Sequence, residues 1–204
     1  MINADIVLRS PEFQPETKHD GDAGGDLRAF IQPEAYEFGL QELADAKLKE
    51  ILCTHEVYIR AHYINGVRCS DRLVELAQLS VGEHVILLPG EKFIFDVGFK
   101  LALRSTDYPL KVPTMLVVPR SGLACKYLVG VANSPGVIDQ GYRNWVGVCL
   151  ENRSSDVHIF THGARIAQAL FVEVANQRRE GFWNVVEELP ESGRGVGGFG
   201  STGV

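Results

Sequence analysis

The feature that most limits how this chain can fold is a succession of short β-rich segments, each closed by glycine or proline, from about residue 81 onward. Examples lie at residues 85–88, 93–97, 115–118, 146–150 and 167–172, and a short opening strand is predicted at residues 4–9. Many short strands with turn residues between them are typical of β-sandwiches and barrels. We therefore predict a mainly β fold, a jelly-roll-like β-barrel, in a single domain spanning residues 1–204.

The segment at residues 33–80 has a different pattern. Apolar residues with a 3.6-residue period predict a helix over about residues 40–52. Asn65-Gly66, between two β-rich runs, predicts a tight hairpin within residues 57–69, and Ser70 could cap a second short helix. We expect a small α+β insertion, either as a surface excursion without a role or as the binding site of an unknown protein partner.

Charge and hydropathy exclude several classes of protein. A formal net charge of −6 with no lysine- or arginine-rich block argues against direct nucleic-acid binding through a broad basic surface. The first residues lack the apolar core of a signal peptide, and no apolar run approaches the ~20 residues of a membrane helix. These features predict a cytoplasmic protein without membrane attachment, or one in the host cytoplasm if the chain is virus- or phage-encoded.

The cysteines are scattered and form no CxxC pair. Cys53, His55, His62 and Cys69 could be considered as zinc ligands, but their spacing matches no familiar zinc site. Ordinary reduced cysteines of a cytosolic chain are the favoured interpretation.

Two segments in the first two thirds of the chain carry candidate ligands. Residues 23–29 (Ala-Gly-Gly-Asp-Leu-Arg-Ala) place Asp26 among glycines, where it could also simply stabilise a turn. Residues 119–124 (Pro-Arg-Ser-Gly-Leu-Ala) follow a predicted strand and could open a short helix. Backbone N–H groups there, with the Ser121 hydroxyl and Arg120, would suit a phosphate, although an unrelated Ser-Gly turn is the simpler alternative.

Three further segments follow. In residues 133–143, Asp139 lies between an apolar pair and a glycine turn, where a hairpin could hold its carboxylate towards a pocket. In residues 163–171, strand alternation predicts that Ile166, Gln168 and Leu170 share a face. Residues 193–204 are rich in glycine, like a disordered tail, yet consecutive flexible amides can bind an anion and Phe199 can stack on a base.

These five segments, in this order, resemble the five motifs of the trimeric deoxyuridine triphosphatase (dUTPase) family. The resemblance covers roughly the first 32 residues and everything from about residue 81 to the C-terminus. It implies a dUTPase-like jelly roll and hydrolysis of dUTP to dUMP and pyrophosphate, which limits uracil incorporation into DNA and supplies dUMP for thymidylate synthesis. It also implies Mg²⁺ as cofactor and a homotrimer with shared active sites, closed by a flexible arm at residues 193–204.

The resemblance assigns each motif residue a role. Asp139 would position and activate the attacking water, Tyr142 would pack on the deoxyribose, and Asp26 would steer Mg²⁺ through its bound waters. The residues implied in nucleoside binding are Asn133, Gly136, Val137, Ile138, Gly147 and Phe199. Those implied in binding the phosphates are Arg120, Ser121, Gly122, Gln168, Arg194, Gly200, Ser201 and Thr202.

The sequence departs from the family pattern in a few places. Asn144 stands where the family usually has glycine, and asparagine is among the better substitutes if the backbone needs a positive φ. Gly25 and Ala164 replace other common residues without removing a proposed catalytic group. The segment at residues 33–80 replaces a connection that is usually short, as in some virus- or phage-encoded members.

Two rival functions have distinct signatures. dCTP deaminase shares the fold, but its catalytic glutamate would fall at Cys149, with Glu151 the nearest acid on that strand face. The other rival is a regulatory protein that uses the nucleotide as a switch and the insertion as a docking surface. An intact Asp139 argues against an inactive enzyme but leaves such a second role open.

Overall fold

The computed structural model describes residues 1–31, 62–64, 67–69 and 84–191, and the fold within them is mainly β with one short α-helix. The first strands are β1 (Ile2–Leu8), β2 (Gly25–Arg28), β3 (His62–Ile64) and β4 (Val67–Cys69). They are followed by β5 (His84–Leu87), β6 (Lys92–Asp96), β7 (Phe99–Ser105) and β8 (Lys111–Pro119). Helix α1 (Ser121–Tyr127) precedes β9 (Val129–Val131), β10 (Gly136–Ile138), β11 (Gly147–Asn152), β12 (His158–Thr161) and β13 (Arg165–Ala175).

The strands form small sheets with many crossovers, as the jelly-roll prediction requires. The strand orders are β10-β8-β13-β2, β6-β11-β9, β4-β3-β12-β5 and the pair β1-β7. Each β-rich run that the sequence pattern predicted falls on a strand, with ends shifted by a few residues. The predicted mainly β, jelly-roll-like fold is confirmed.

One apolar core joins the sheets. In β7 the side chains of Phe99, Leu101 and Leu103 are buried, while those between them are partly exposed, which is the alternation of a strand with one face inward. Phe95, Met115 and Leu150 from three other strands are at most 1% exposed in the same core. Burial of side chains of this size is the main force that holds the sheets together.

A glycine at the entrance to β7 lets the N-terminal segment pack against this core. Gly98 has φ +75°, and a Cβ placed there would lie 2.6 Å from Cγ of buried Phe13. Its carbonyl also accepts a hydrogen bond from Arg9 N at 2.8 Å. Any side chain at this position would therefore collide with Phe13 and strain the backbone.

A β-bulge corrects one detail of the sequence prediction. The register between β13 and β2 shifts between Arg165 and Ala167, so Ile166 is an extra residue in its strand. Ile166, Ala167 and Ala169 are all buried in the core, whereas Gln168 and Leu170 are only partly buried. The prediction that Ile166 shares a face with Gln168 and Leu170 is therefore wrong, because the bulge breaks the simple alternation.

The predicted hairpin of the insertion is present. β3 and β4 pair antiparallel with Ile64 opposite Val67, as Asn65-Gly66 predicted. β3 also pairs in parallel with β12, placing Tyr63 opposite His158, so the hairpin extends a sheet of the main body. The predicted helices at residues 40–52 and after Ser70 lie outside the described residues. Among the residues that are described, no helix has the length and apolar character needed to cross a membrane.

Candidate active site

The four-stranded sheet β10-β8-β13-β2 brings four of the five sequence motifs together. β10 belongs to the third motif, β8 leads into the second, β13 carries the fourth and β2 carries the first. Asp26 lies opposite Gln168, and Gln168 lies opposite Val118 on its other side. Arg120 and Ser121 follow directly after the end of β8, so candidate ligands from three motifs cluster at one end of this sheet.

The Asp26 carboxylate ties these strands together. Arg120 Nε donates to one carboxylate oxygen at 3.0 Å, and Arg165 Nη1 donates to the other at 3.2 Å. Arg120 Nη1 also donates to the backbone carbonyl of Arg165 at 3.2 Å. The Asp26 side chain is 16% exposed, so this carboxylate is partly screened from water and balanced by two guanidinium groups.

Arg165 is a site residue that the sequence reasoning did not single out. It lies in the fourth motif, three positions before Gln168, at the exposed start of β13. A basic residue beside a proposed phosphate ligand was the available signal. Its pairing with Asp26 requires knowing that β13 and β2 are neighbours, which the local pattern does not reveal.

Gln168 is placed by its strand and by a neighbouring glycine. Ala167 and Ala169 on either side of it point into the core, which turns the Gln168 side chain to the opposite face. A Cβ at Gly24 would lie 3.4 Å from Cδ and Nε2 of Gln168. A larger residue than glycine would therefore press on the amide from the direction of the first motif.

Helix α1 opens at the second motif, as predicted. Arg120 is its N-cap in an extended conformation, and Ala124 N donates to Arg120 O at 2.9 Å. Ser121 and Gly122 occupy the first turn and are both exposed. The first N–H groups of a helix have no partner within it, and they favour an anion such as a phosphate oxygen.

The third motif contains a glycine that is packed on both sides. A Cβ at Gly136 would lie 3.3 Å from Cβ of Val117 and 3.4 Å from Nδ2 of Asn133. The absence of a side chain at Gly136 thus leaves room for the Asn133 amide beside the strand. Val137 is 56% exposed, and Ile138 packs against the core from the edge of β10.

The local hairpin expected around Asp139 is not formed between neighbouring strands. β10 pairs with β8, whereas β9 pairs with β11 in another sheet. The chain therefore crosses between sheets on both sides of β10, and Asp139 lies at the start of the second crossing. Its side chain is exposed, and among the described residues no hydrogen-bond or ion-pair partner of its carboxylate is present.

A compact turn after Asp139 holds Tyr142. Tyr142 N donates to Asp139 O at 3.0 Å, and Tyr142 Oη donates to the backbone carbonyl of Trp145 at 2.8 Å. The Tyr142 ring packs against the core. Asn144 does not adopt a positive φ, and its side-chain oxygen accepts from Trp145 N at 2.8 Å. The family's usual glycine is thus replaced here by a residue that bonds within the turn.

Gly147 and Cys149 lie on β11. Gly147 is exposed, and a Cβ there would lie 3.0 Å from Cγ2 of Ile94, a close approach that favours glycine at this position. Cys149 stands where a deaminase would carry its glutamate. Glu151 bonds to Arg153 and pairs with Lys92, and the hydrogen bond from Arg153 holds the pKa of Glu151 below its ordinary value.

The fifth motif lies outside the described residues. The roles predicted for it therefore stay predictions, and they concern Arg194, Phe199, Gly200, Ser201 and Thr202. The segment that leads to it, residues 182–191, is described and is largely exposed. Trp183, Val185 and Leu189 are between 72% and 96% exposed on the single chain.

The residues around Asp26 fit a metal that is held mainly by other ligands. Within the described parts of the chain, no three His, Cys, Asp or Glu side chains are close enough to form a metal cage. Mg²⁺ in phosphate-transfer sites is usually held by one or two carboxylates, waters and the phosphates of the substrate. Asp26 is a single carboxylate beside the candidate phosphate ligands Arg120 and Gln168, which fits a Mg²⁺ ion held mainly by waters and substrate phosphates. The zinc hypothesis involves Cys53 and His55, which lie outside the described residues.

Comparison with known proteins gives a consistent result. A family model described as dUTPase matches residues 78–203. A deoxyuridine 5′-triphosphate nucleotidohydrolase of Desulfotalea psychrophila is 44% identical over 116 residues, which cover 57% of this chain and 71% of the relative. The family-model match begins after the first motif, so the link from Asp26 to the site comes from its contacts with Arg120 and Arg165.

Solved structures share the fold of the described residues. A variant dUTPase of Staphylococcus bacteriophage 80alpha with dUpNHpp aligns with a TM-score of 0.61 at 19% identity, covering 99% of both chains. A variant dUTPase from phage phi11 of S. aureus, described as revealing the coordination of a structural Mg(II) ion, aligns with a TM-score of 0.55 at 16% identity. It covers 93% of this chain and 99% of the phage protein.

Proposed function

The chain belongs to the dUTPase family, and from that premise we propose that it hydrolyses dUTP to dUMP and pyrophosphate in a site shared between copies of the chain. Asp139 of one copy activates a water molecule for attack on the α-phosphorus. Arg120, Ser121, Gly122 and Gln168 of another copy bind the phosphates.

The observation that carries the shared site is the strand register. Ile138, the last residue of β10, lies opposite Met115 on β8, whereas Arg120 follows the C-terminal end of β8. At ~3.3 Å per residue, the five positions from Met115 to Arg120 correspond to about 17 Å along the strand. An in-line attack needs the water and the phosphate ligands close to one α-phosphorus, and this separation favours a site whose two parts come from different copies.

An apolar sheet face supports a symmetric homotrimer. Val137 and Leu170 lie opposite Leu116 on its two sides, and all three residues are partly or fully exposed on the single chain. They share the face of the sheet that carries Gln168. Packing three copies around this face would bury it, and most soluble homo-oligomers close into a symmetric ring in this way.

Each side chain of the site has a distinct task in this reaction. Asp139 accepts a proton from the attacking water on the side of the phosphorus opposite to the leaving pyrophosphate. Arg120 and Arg194 offset the negative charge that grows on the leaving group. Asn133 and the backbone of Gly136, Val137 and Ile138 bind the uracil edge. Tyr142 packs on the deoxyribose and leaves no room for a 2′-hydroxyl, and the backbone of Gly147 borders the nucleoside.

Dependence on a divalent metal is general in the family, and we assign Mg²⁺ to this chain. When bound, Mg²⁺ would supply positive charge that offsets the negative charge growing on the leaving group. Asp26 would hold it through its bound waters. The two guanidinium groups on Asp26 compete with those waters, so Arg120 has to turn from Asp26 towards the triphosphate when the nucleotide binds.

The remaining parts of the chain complete the proposal. Residues 193–204 form an arm that closes the site of another copy, with Phe199 over the uracil and Gly200, Ser201 and Thr202 over the phosphates. The segment before this arm exposes apolar side chains, including Trp183 and Leu189, and these could pack against a neighbouring copy. Residues 33–80 form a surface insertion that could bind a partner protein. The enzyme acts in the cytoplasm.

The test is pyrophosphate release from dUTP, UTP, dTTP and dCTP, each with and without Mg²⁺. The proposal predicts that dUTP is hydrolysed far faster than the other three nucleotides, and only with the metal present. Ammonia released from dCTP would identify a deaminase instead. A folded protein that leaves dUTP intact in the presence of Mg²⁺ would exclude the proposed activity.

A further inference from the structure

Trp145 stands in a turn where it lies close to two charged groups, Arg9 directly after β1 and Lys100 on β7. Its ring lies 3.9 Å from the Arg9 guanidinium carbon, measured to the ring centroid, and 5.4 Å from Lys100 Nζ. The same guanidinium lies 4.9 Å from the centroid of the Phe30 ring. Arg9 is therefore positioned between two aromatic rings, a geometry in which the positive charge is attracted by both π-faces.

Arg9 is itself fixed. Its Nη2 and Nε donate to the same carboxylate oxygen of Asp96 at 2.7 Å and 3.1 Å, and its backbone N–H donates to Gly98 O. The Arg9 side chain is 26% exposed, which lessens the competition from water. Because both the guanidinium and the backbone of Arg9 are fixed by hydrogen bonds, Arg9 can restrain the aromatic ring that stacks on it.

The restrained turn is the one that positions Tyr142. The carbonyl that accepts the Tyr142 hydroxyl belongs to Trp145, and the backbone N–H of Tyr142 donates to Asp139 O. Two contacts thus connect the stacked tryptophan, through Tyr142, to the residue proposed to activate water. Movement of the Trp145 ring would be transmitted to the Tyr142 hydroxyl through the backbone of one residue.

We propose that the Arg9–Trp145 stack is a positioning device for Tyr142 and so sets the discrimination between deoxyribose and ribose nucleotides. This inference rests on the proposed function, in which the Tyr142 ring excludes a 2′-hydroxyl. Arg9 and Trp145 act through Tyr142 and touch no substrate. The stack holds the turn in the position where the Tyr142 ring lies against the sugar. Without the contact to Arg9, the turn can move away and leave room for the 2′-hydroxyl of UTP.

The measurement is the ratio of kcat/KM for dUTP to kcat/KM for UTP. Trp145→Leu and Arg9→Gln should each lower this ratio by about 2- to 30-fold, the factor that corresponds to the loss of one cation–π contact. Trp145→Phe keeps a ring beneath the guanidinium and should retain most of the selectivity. Arg104→Gln is the matched control, because Arg104 pairs with Asp5 across β1 and β7 and contacts no aromatic ring in the described part of the chain.

A second readout is independent of turnover. Trp145 and Trp183 are the two tryptophans of the chain, so Trp183→Phe leaves Trp145 as the only source of tryptophan emission. In that background Arg9→Gln should shift the emission, whereas Arg104→Gln should not. Circular dichroism and gel filtration identify any variant that is misfolded. If Trp145→Leu does not fold, the selectivity ratio of Arg9→Gln alone tests the inference.

Two results would overturn the inference. One is a selectivity ratio that stays at the wild-type value in folded Arg9→Gln and Trp145→Leu enzymes. The other is an emission spectrum that Arg9→Gln leaves unchanged. Either result would leave the proposed function intact as long as the wild-type enzyme hydrolyses dUTP. A wild-type enzyme that does not hydrolyse dUTP would contradict the proposed function itself.

Discussion

Arg165 and Asp26 form an ion pair across the antiparallel strands β13 and β2, with Arg165 Nη1 donating to Asp26 Oδ2 at 3.2 Å. Because Arg120 occupies the other oxygen of this carboxylate, the first, second and fourth motifs are connected before any nucleotide binds. In our account Arg120 turns from Asp26 towards the triphosphate when the substrate binds, and Asp26 would then be able to hold Mg²⁺ through its bound waters. The residues of the ion pair are therefore the place where metal dependence can be tested.

Asp26→Asn should weaken the response to Mg²⁺ more than it weakens folding. An amide cannot balance two guanidinium groups and binds metal-bound waters less strongly than a carboxylate. Loss of such an outer-sphere partner typically costs about 10- to 100-fold in metal affinity or activity. A Mg²⁺ titration of dUTP turnover measures the effect, with Asp22→Asn, in the exposed preceding loop, as the control. An unchanged Mg²⁺ midpoint would remove Asp26 from the metal site.

Asp139→Asn should lose about 10²- to 10⁴-fold in the rate of hydrolysis, the usual contribution of a general base. Binding of dUTP should persist, because the substitution leaves the phosphate and uracil ligands in place. Single-turnover hydrolysis and calorimetric binding of dUTP separate the two effects. Asp107→Asn, at an exposed ion pair with Lys111, is the control. Near-normal hydrolysis by Asp139→Asn would exclude the carboxylate as the base.

Deletion of residues 194–204 should leave the protein folded and assembled but almost inactive. The deleted residues include Arg194 and Phe199, which contact substrate in our account, and none that belongs to the described core. Loss of such transition-state contacts costs on the order of 100-fold or more in turnover. Light scattering and pyrophosphate release test the two parts. A truncated enzyme with full activity would show that the arm is dispensable.

Gly98→Ala should destabilise the fold far more than Gly90→Ala. Both glycines have a positive φ, near +75°, but a Cβ at Gly98 meets the Phe13 ring, whereas nothing lies within 4 Å of one at Gly90. Backbone strain alone costs about 1–2 kcal/mol, and overpacking adds about 1–3 kcal/mol at Gly98. Chemical denaturation measures both. Equal losses of stability would mean that the N-terminal segment does not pack on the core as described.

Stability should depend on pH through His158. Burial lowers the pKa of the His158 imidazole below its ordinary value of 6.5, against a smaller opposing effect of Asp156. The unfolded chain then binds the proton more readily than the folded one, so the free energy of unfolding falls as the pH drops below about 6.5. His158→Gln should flatten this dependence between about pH 7.5 and 5.5, and His19→Gln, at an exposed site, should not. A wild-type dependence retained in His158→Gln would contradict the assignment.

Local patterns were sufficient to predict most strands, because apolar alternation reflects a sheet with one buried face. β8 and β13 were found in this way, and the Asn65-Gly66 pair in the sequence predicted the antiparallel pairing of β3 with β4. The same alternation failed at Ile166, since a bulge adds one residue without any local signal. The parallel pairing of β3 with β12 was also not predicted, because partners so distant in sequence have no shared local pattern.

In the candidate site, too, the sequence predicted the local features but not the contacts between distant residues. The motif residues could be named from their order along the chain, but the ion pairs of Asp26 could not, because they depend on which strands are neighbours. The stack of Arg9 on Trp145 was missed for the same reason. Both contacts join residues more than one hundred positions apart in the sequence.

Mixing two inactive variants tests the central claim most directly. Asp139→Asn and Arg120→Gln each remove one half of the site, and Met115, the strand partner of Ile138 beside Asp139, lies about 17 Å along β8 from Arg120 within a chain. Random co-assembly of equal amounts should restore dUTP hydrolysis at about one quarter of the sites, where an intact Asp139 from one copy meets an intact Arg120 from another. A co-assembled mixture that stays as inactive as its two components would contradict a site shared between copies.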